Sequence, residues 1–349
     1  MDNEFEKIGR ILVRGVNWVG DTVLTYPAVE RLKGRFPRSH LAILVRENLV
    51  DLWKTVPYVD EVIPFQQKRG WNGVWGDLRL SLLLKKKGFD RAVIFPRSFR
   101  SAYPISLARI PIRLGYQDEG RSLLLTHKIR RTGKILNAHR IHYYQNLIDT
   151  FGFDERVSPP RIFLRDEDRD WAMERLRDLH LLNGRPLIGM NPGATYGLAK
   201  CWYPDGFGEL GRRLVQKRNA SILLFGAEGE RATAKGILDF IKEGVVDLTG
   251  KTSLLQLAAL LERCQVLVTN DTGTLHVAAA VGTPVVAIFG PTDPGATGPW
   301  GEGHAIVKRE VSCSPCLERV CPTDHACMRE IRVEDVEEAV GNRLRSMDR

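Results

Sequence analysis

The strongest constraint on this chain is a rhythm. Short runs of β-branched and aliphatic residues, bounded by charges, glycine or proline, alternate with longer amphipathic stretches, and the whole pattern occurs twice. In the first half, strands are expected at Ile11–Arg14, Leu41–Val45, Glu61–Pro64 and Arg91–Phe95, with helices over Thr22–Phe36, Leu49–Thr55, Val74–Lys87 and Arg100–Leu107. In the second half, strands are expected at Leu187–Met190, Ile222–Phe225, Val246–Leu248, Val266–Thr269 and Val285–Phe289, with helices over Pro204–Lys217, Glu230–Lys242, Leu254–Arg263 and Thr274–Val281. Pro204 suits a first helical turn, and Ser253 can cap the helix after it. A βαβα order implies a parallel sheet with helices on both faces. Ser158-Pro159-Pro160, followed by a charged helix over Glu167–Leu179, places a boundary near residues 158–185. The expected domains are 1–165 and 166–331, with a final helical segment, 332–349, that could return to the first domain. The fold class is α/β: two doubly wound, Rossmann-like domains facing a central cleft. Ligands in such sheets bind beyond the carboxyl ends of the strands, so the turns there are where chemistry is sought.

Composition narrows the partners. The one stretch of eighteen or more residues without Asp, Glu, Lys or Arg, 272–292, is broken by His276, Gly282 and Pro284, so no membrane-crossing helix is expected. The first ten residues carry three acidic side chains and no apolar core, which argues against a secretory signal. A cytoplasmic protein, or one that touches a membrane only from its surface, is the expectation. The net charge of +9 favours an anionic partner such as phosphorylated lipid or nucleotide, although an excess of base can also serve solubility alone. Nucleic acid is not expected, because the chain lacks helix-turn-helix, RNA-binding and zinc-finger signatures.

Three strand-end turns carry the residues of interest. Asn17-Trp18-Val19-Gly20-Asp21 follows the first strand but matches neither a dinucleotide fingerprint nor a Walker loop. Asp21 either caps the following helix or faces a ligand as a general base. Asn191-Pro192-Gly193-Ala194-Thr195, with Lys200 and Trp202 beyond it, offers small residues for close backbone approach and a lysine that can meet phosphate. Asn270-Asp271-Thr272-Gly273, with His276 in the next helix, places free N–H groups and a positive dipole end where an anion could sit. Gly290-Pro291-Thr292-Asp293 is a further turn in the same domain. Together these turns favour a nucleotide site. Cys313, Cys316, Cys321 and Cys327 form a C-x2-C-x4-C-x5-C segment that could make a structural tetrahedral metal site, with His325 as an alternative ligand, or stay as reduced thiols.

From residue 10 to the end, these motifs in this order resemble the lipopolysaccharide heptosyltransferases of glycosyltransferase family 9, most of all the branch that adds the second heptose. The resemblance implies a two-domain GT-B enzyme. It would move L-glycero-D-manno-heptose, with inversion, from ADP-heptose to the first heptose of the Kdo-lipid A inner core, without metal or other cofactor. It further implies Asp21 and Lys200 as catalytic residues. Thr195, Lys200, Glu228, Thr252, Asp271, Thr272, Gly273 and His276 would hold the donor, the acidic position around Glu228 being open by two residues. Asn17, Trp18, Arg97 and Arg100 would hold the acceptor. Lys85, Lys86, Lys87, Arg113 and Arg121 add positive charge to the acceptor domain. The enzyme would work at the inner face of the inner membrane, bound peripherally. Addition of the first heptose to Kdo-lipid A, a sugar-nucleotide epimerase, and a nucleotide-binding protein without turnover stand as alternatives.

Overall fold

The computed structural model describes residues 9–67, 70–118, 120–149 and 157–347. The first eight residues, on which most of the signal-sequence reading rests, lie outside these. The chain forms two compact units, Met1–Pro160 and Arg161–Arg349.

The first unit contains strands β1 (Arg10–Arg14), β2 (His40–Arg46), β3 (Glu61–Phe65), β4 (Arg91–Ile94), β5 (Ile112–Tyr116) and β6 (His127–Ile129). Its helices are α1 (Val19–Arg35), α2 (Val50–Lys54), α3 (Gly70–Lys87), α4 (Phe99–Leu107), α5 (Gly133–Asn137) and α6 (Arg140–Asp149). The second unit contains β7 (Leu187–Asn191), β8 (Ser221–Leu224), β9 (Val245–Asp247), β10 (Val266–Asn270), β11 (Val285–Phe289) and β12 (Ala305–Lys308). Its helices are α7 (Asp166–Asp178), α8 (Pro204–Arg218), α9 (Arg231–Leu238), α10 (Leu254–Arg263), α11 (Gly273–Ala280), α12 (Pro294–Thr297), α13 (Ala326–Arg329) and α14 (Val333–Met347).

Both sheets are parallel. Their strand orders, β3-β2-β1-β4-β5-β6 and β12-β11-β10-β7-β8-β9, are the same doubly wound topology. The chain direction switches between β1 and β4 in one unit and between β7 and β10 in the other, and a crevice opens at such points. Register aligns the strand ends there. Arg14 is level with Leu44 and Ile94, and Asn191 is level with Thr269. The turns singled out from sequence therefore leave each sheet along one edge. Val93, Leu12 and Leu44 in the first sheet, and Ile188, Val268 and Ile288 in the second, are buried, as two-sided parallel sheets require.

Local signals set several boundaries. Ser253 Oγ accepts from the Gln256 N–H at 3.2 Å while Gln256 Oε1 accepts from the Ser253 N–H at 2.9 Å, a reciprocal cap for α10. Pro204 opens α8. The sequence pattern predicts none of strands β5, β6 and β12 or helices α5, α6, α12 and α13. β6 is three residues long and exposes His127 and Lys128, so it carries no apolar signature. The helix expected over Glu230–Lys242 ends at Leu238. Helix α14 lies within the second unit. Val336 and Val340 lie in that unit's core, and Glu334 and Glu337 pair with Arg213 at 2.7 and 3.2 Å.

Candidate active site

In the second unit, a single asparagine fastens the switch point. Buried Asn270 accepts from the Trp202 N–H at 3.0 Å and donates through Nδ2 to the Pro192 carbonyl at 2.6 Å. Thr269 Oγ1 donates to the Asn191 carbonyl at 3.2 Å. The turn after β7 is thus tied to the end of β10. Asp271 ties in two more segments. Its Oδ2 accepts from Lys200 Nζ at 2.5 Å and from Thr292 Oγ1, on the turn after β11, at 2.7 Å. The Asp271 side chain is 5% exposed and that of Lys200 12%, so the pair sits in a poorly screened place. Lys200 Nζ also lies 4.9 Å from the centroid of the Tyr196 ring. Thr272 stands at the N-cap of α11 without a side-chain cap hydrogen bond, so Gly273 and Thr274 present first-turn N–H groups beside this cluster. His276, in the same helix, is buried.

The Lys200 loop is braced by the cysteine-rich segment. Ala199 donates its N–H to the Arg319 carbonyl at 3.1 Å, and its own carbonyl accepts from His325 Nε2 at 2.7 Å. Tyr196 Oη donates to the Leu317 carbonyl at 3.3 Å, and the Arg319 guanidinium lies 4.9 Å from the Tyr196 ring centroid. A Cβ at Gly197 would meet the Arg319 carbonyl oxygen at 2.4 Å, so only glycine allows this approach. Cys313, Cys316, Cys321 and Cys327 line one small cavity of about 60 Å³. Among the described residues, however, no three His, Cys, Asp or Glu side chains are grouped so that they could hold a metal ion. His325, the alternative ligand, spends Nε2 on the Lys200 loop. As it stands, the segment is a brace carrying thiols.

The acidic position resolves into two neighbours with different surroundings. Glu228 is exposed and forks onto Arg231 at 2.6 and 2.8 Å, and that guanidinium holds its carboxyl below the usual range. It lies against the Gly250 turn before Thr252, where a Cβ would meet Glu228 Oε2. Glu230 instead lies under the turn after β7, where a Cβ at Gly193 would fall 1.8 Å from Oε1. It also accepts from the Ala227 N–H at 2.7 Å. Thr195 is exposed at the rim of the same turn, and Thr252 is half-buried between β9 and α10.

In the first unit, Asp21 stands in the first turn of α1, whose N-cap is Trp18. Asp21 Oδ1 accepts from Tyr144 Oη at 2.8 Å. Tyr144 comes from α6, and burial, then the Asp21 charge, raises its phenol well above the ordinary value, so it stays a donor. Asn17 Oδ1 accepts from Arg14 Nη2 at 3.0 Å. Arg14 is buried, lies 4.3 Å from the Phe65 ring centroid, and is pushed down to about 9 by burial and by Arg46. Neither Arg14 nor Tyr144 was singled out from sequence. An arginine closing a strand and a tyrosine 123 positions from its partner give no local signal. Trp18 and Arg97 are exposed. Arg100 pairs with Asp77 of α3 at 2.9 Å and borders a groove of about 480 Å³ that includes Arg46, Glu47 and Gln66.

Two other basic residues turn out to be structural. Arg121 is fully buried, donates to the Ile94 carbonyl at 3.1 Å, and is pushed down to about 10 chiefly by burial. Its Nη2 fills the space where a Cβ at Gly115 would sit, which explains that glycine in β5. Arg113 donates to the carbonyls of Leu124 and Ile110 at 2.7 and 2.6 Å.

Residues 78–327 match glycosyltransferase family 9, the heptosyltransferases. The chain belongs to that family. Family 9 relatives include the lipopolysaccharide heptosyltransferase 2 of Salmonella typhimurium, 29% identical over 314 residues that cover 86% of this chain and 88% of the relative. The lipopolysaccharide heptosyltransferase 1 of Pseudomonas aeruginosa is 25% identical, covering 89% and 87%. Among solved structures, the E. coli ADP-heptose LPS heptosyltransferase II is 26% identical with a TM-score of 0.84, covering 97% of this chain and 100% of that one. A family 9 chain is a glycosyltransferase, and its two parallel sheets are the GT-B plan expected from sequence.

Proposed function

We infer that this protein is the inverting heptosyltransferase that moves L-glycero-D-manno-heptose from ADP-heptose to the first heptose of the lipopolysaccharide inner core. The observation that carries the reading is the Lys200–Asp271–Thr292 cluster beside the start of α11, at the switch point of a chain similar over most of its length to type 2 heptosyltransferases. The acceptor hydroxyl oxygen attacks the anomeric carbon. The bond from that carbon to the diphosphate breaks, ADP leaves with the electron pair, and the hydroxyl proton passes to Asp21. Tyr144 is a positioning residue that turns the Asp21 carboxylate. Lys200 and the N–H groups of Gly273 and Thr274 stabilise the charge that grows on the diphosphate. Thr195, Thr272 and His276 line the donor, and Thr252 meets the base. The ribose takes Glu230 or Glu228, with Glu230 favoured by its place under Gly193. Asn17, Trp18, Arg97 and Arg100 meet the acceptor. Arg97 is exposed and has no ion pair among the described residues, whereas Arg100 must exchange Asp77 for an acceptor anion. The enzyme works at the inner face of the inner membrane, held peripherally.

The test is release of ADP with defined Kdo-lipid A acceptors, with and without the first heptose. Release only with the heptosylated acceptor is expected. Release with the bare acceptor would assign the first-heptose reaction, and release with neither would make the protein a nucleotide binder. Thermal shift with ADP, UDP and GDP separates an ADP-sugar enzyme from a UDP-sugar epimerase.

A further inference from the structure

Helix α3 is apolar on two opposite faces. One face, formed by Gly73, Leu80, Ser81 and Leu84, packs into the first unit. The other holds Trp71, Trp75, Leu78 and Leu82, spaced at i, i+4, i+7 and i+11, and exposes them by 83, 62, 37 and 61%. Val74 extends the stripe. A free-standing helix of a water-soluble protein puts polar residues on its outer face, so this arrangement needs a partner.

The flanks say which kind. At 100° per residue, Lys85 falls on one side of the stripe, and Lys86 and Arg79 on the other. All three are exposed, and no acidic group among the described residues pairs with them. The helix's only carboxylate, Asp77, lies on the inward side and is taken by Arg100. Lys87 is taken by Glu61. The outward face is thus two tryptophans and two leucines bordered by unopposed cations. Tryptophan settles at the level of lipid headgroups, and lysine and arginine extend past it to the phosphates. Among the described residues no helix is long and apolar enough to cross a membrane, so attachment through α3 would lie in the surface plane.

We propose that the outward face of α3 docks this protein on an anionic bilayer surface. The inference rests on the reading that the acceptor is presented by a membrane, and names the surface that meets it. Flotation with vesicles that contain no acceptor tests the docking separately from transfer. With phosphatidylglycerol–phosphatidylethanolamine vesicles at low salt, the full chain floats. With phosphatidylcholine alone, or at high salt, flotation falls sharply. The Trp71→Ser, Trp75→Ser double variant lowers partitioning at least about tenfold. Lys85→Gln with Lys86→Gln lowers it by roughly fivefold per charge and flattens the salt dependence. These side chains are exposed, and an unchanged circular dichroism melt confirms that the variants fold. Failure of the wild-type chain to float with anionic vesicles, or flotation unchanged in the tryptophan variant, overturns the proposal. A wild-type dimer that the tryptophan variant splits, without vesicle binding, would assign the face to a second copy and overturn it as well. Transfer to a detergent-dispersed acceptor is scored apart, so loss of docking and loss of the proposed reaction cannot be confused.

Discussion

Removal of Lys200 should do more damage than one lost contact explains, because Asp271 lies beneath it. Lys200 Nζ and Thr292 Oγ1 both bond to Asp271 Oδ2, in a place where the carboxylate is 5% exposed. Lys200→Ala strands that charge. Breaking a buried pair from one side costs about 3–5 kcal/mol, and the 12% exposure of Lys200 points to the lower end. For a unit of this size, about 3 kcal/mol corresponds to a fall in Tm of roughly 6–12 °C. Donor binding suffers twice. The diphosphate loses a charge-assisted hydrogen bond, about 1.5–3 kcal/mol, and meets an uncovered carboxylate. ADP affinity should therefore fall at least about a hundredfold. Asp271→Asn keeps an acceptor for Lys200 and Thr292 but frees the lysine's charge, so ADP should bind as well as, or better than, in the wild type. The double variant should bind ADP roughly tenfold better than Lys200→Ala alone, a coupling within the range of about 0.5–3 kcal/mol seen for neighbouring charges. Titration calorimetry with ADP on all four proteins reads this directly. An ADP affinity in Lys200→Ala within twofold of wild type would refute donor binding by Lys200. A double variant as weak as the single would show that the diphosphate does not feel Asp271.

Asp21→Asn should lower kcat by roughly 10²–10⁴ with ADP affinity unchanged. Tyr144→Phe should lower it by about tenfold and leave ADP affinity alone; near-normal turnover in Asp21→Asn would remove Asp21 from the mechanism, and near-normal turnover in Tyr144→Phe would remove Tyr144 as its positioning residue. Arg212 and Arg213 hold the Glu209 carboxyl down at about 2. Its contribution to stability is complete above the unfolded value of about 4.3 and disappears as pH falls to about 2, so Glu209→Gln should make the acid limb of the stability curve shallower over that window. An unchanged acid limb in urea titrations would contradict this. Burial pushes Cys264 up to about 12, and Cys201 and Cys327 up to about 11, whereas hydrogen bonds from Thr323 lower Cys321 at the surface. Peptide mapping after brief iodoacetamide treatment near pH 7.5 should find Cys321 modified well before those three, and earlier labelling of Cys201 or Cys264 would argue against these environments.

The alternation of apolar runs and amphipathic stretches by itself determined two parallel doubly wound sheets, because periods of 2 and 3.6 are local and strand–helix–strand connections leave little topological choice. It also placed the turns that bear Asp21, Lys200 and Asp271 at strand ends. The partners of those residues were settled only by tertiary structure. Tyr144 reaches Asp21 across 123 positions, Asp271 joins Lys200 and Thr292 from different strand ends, and Asn270 pins Pro192 to Trp202. Such contacts depend on sheet order and register, which no window of sequence contains. Charge behaved the same way. Arg97, Arg100, Arg113 and Arg121 look alike in sequence. The fold leaves the first exposed, pairs the second with Asp77, turns the third onto backbone carbonyls and buries the fourth against Gly115. What a cation can bind depends on what already opposes it and on how much water screens it, and both are properties of the folded surroundings.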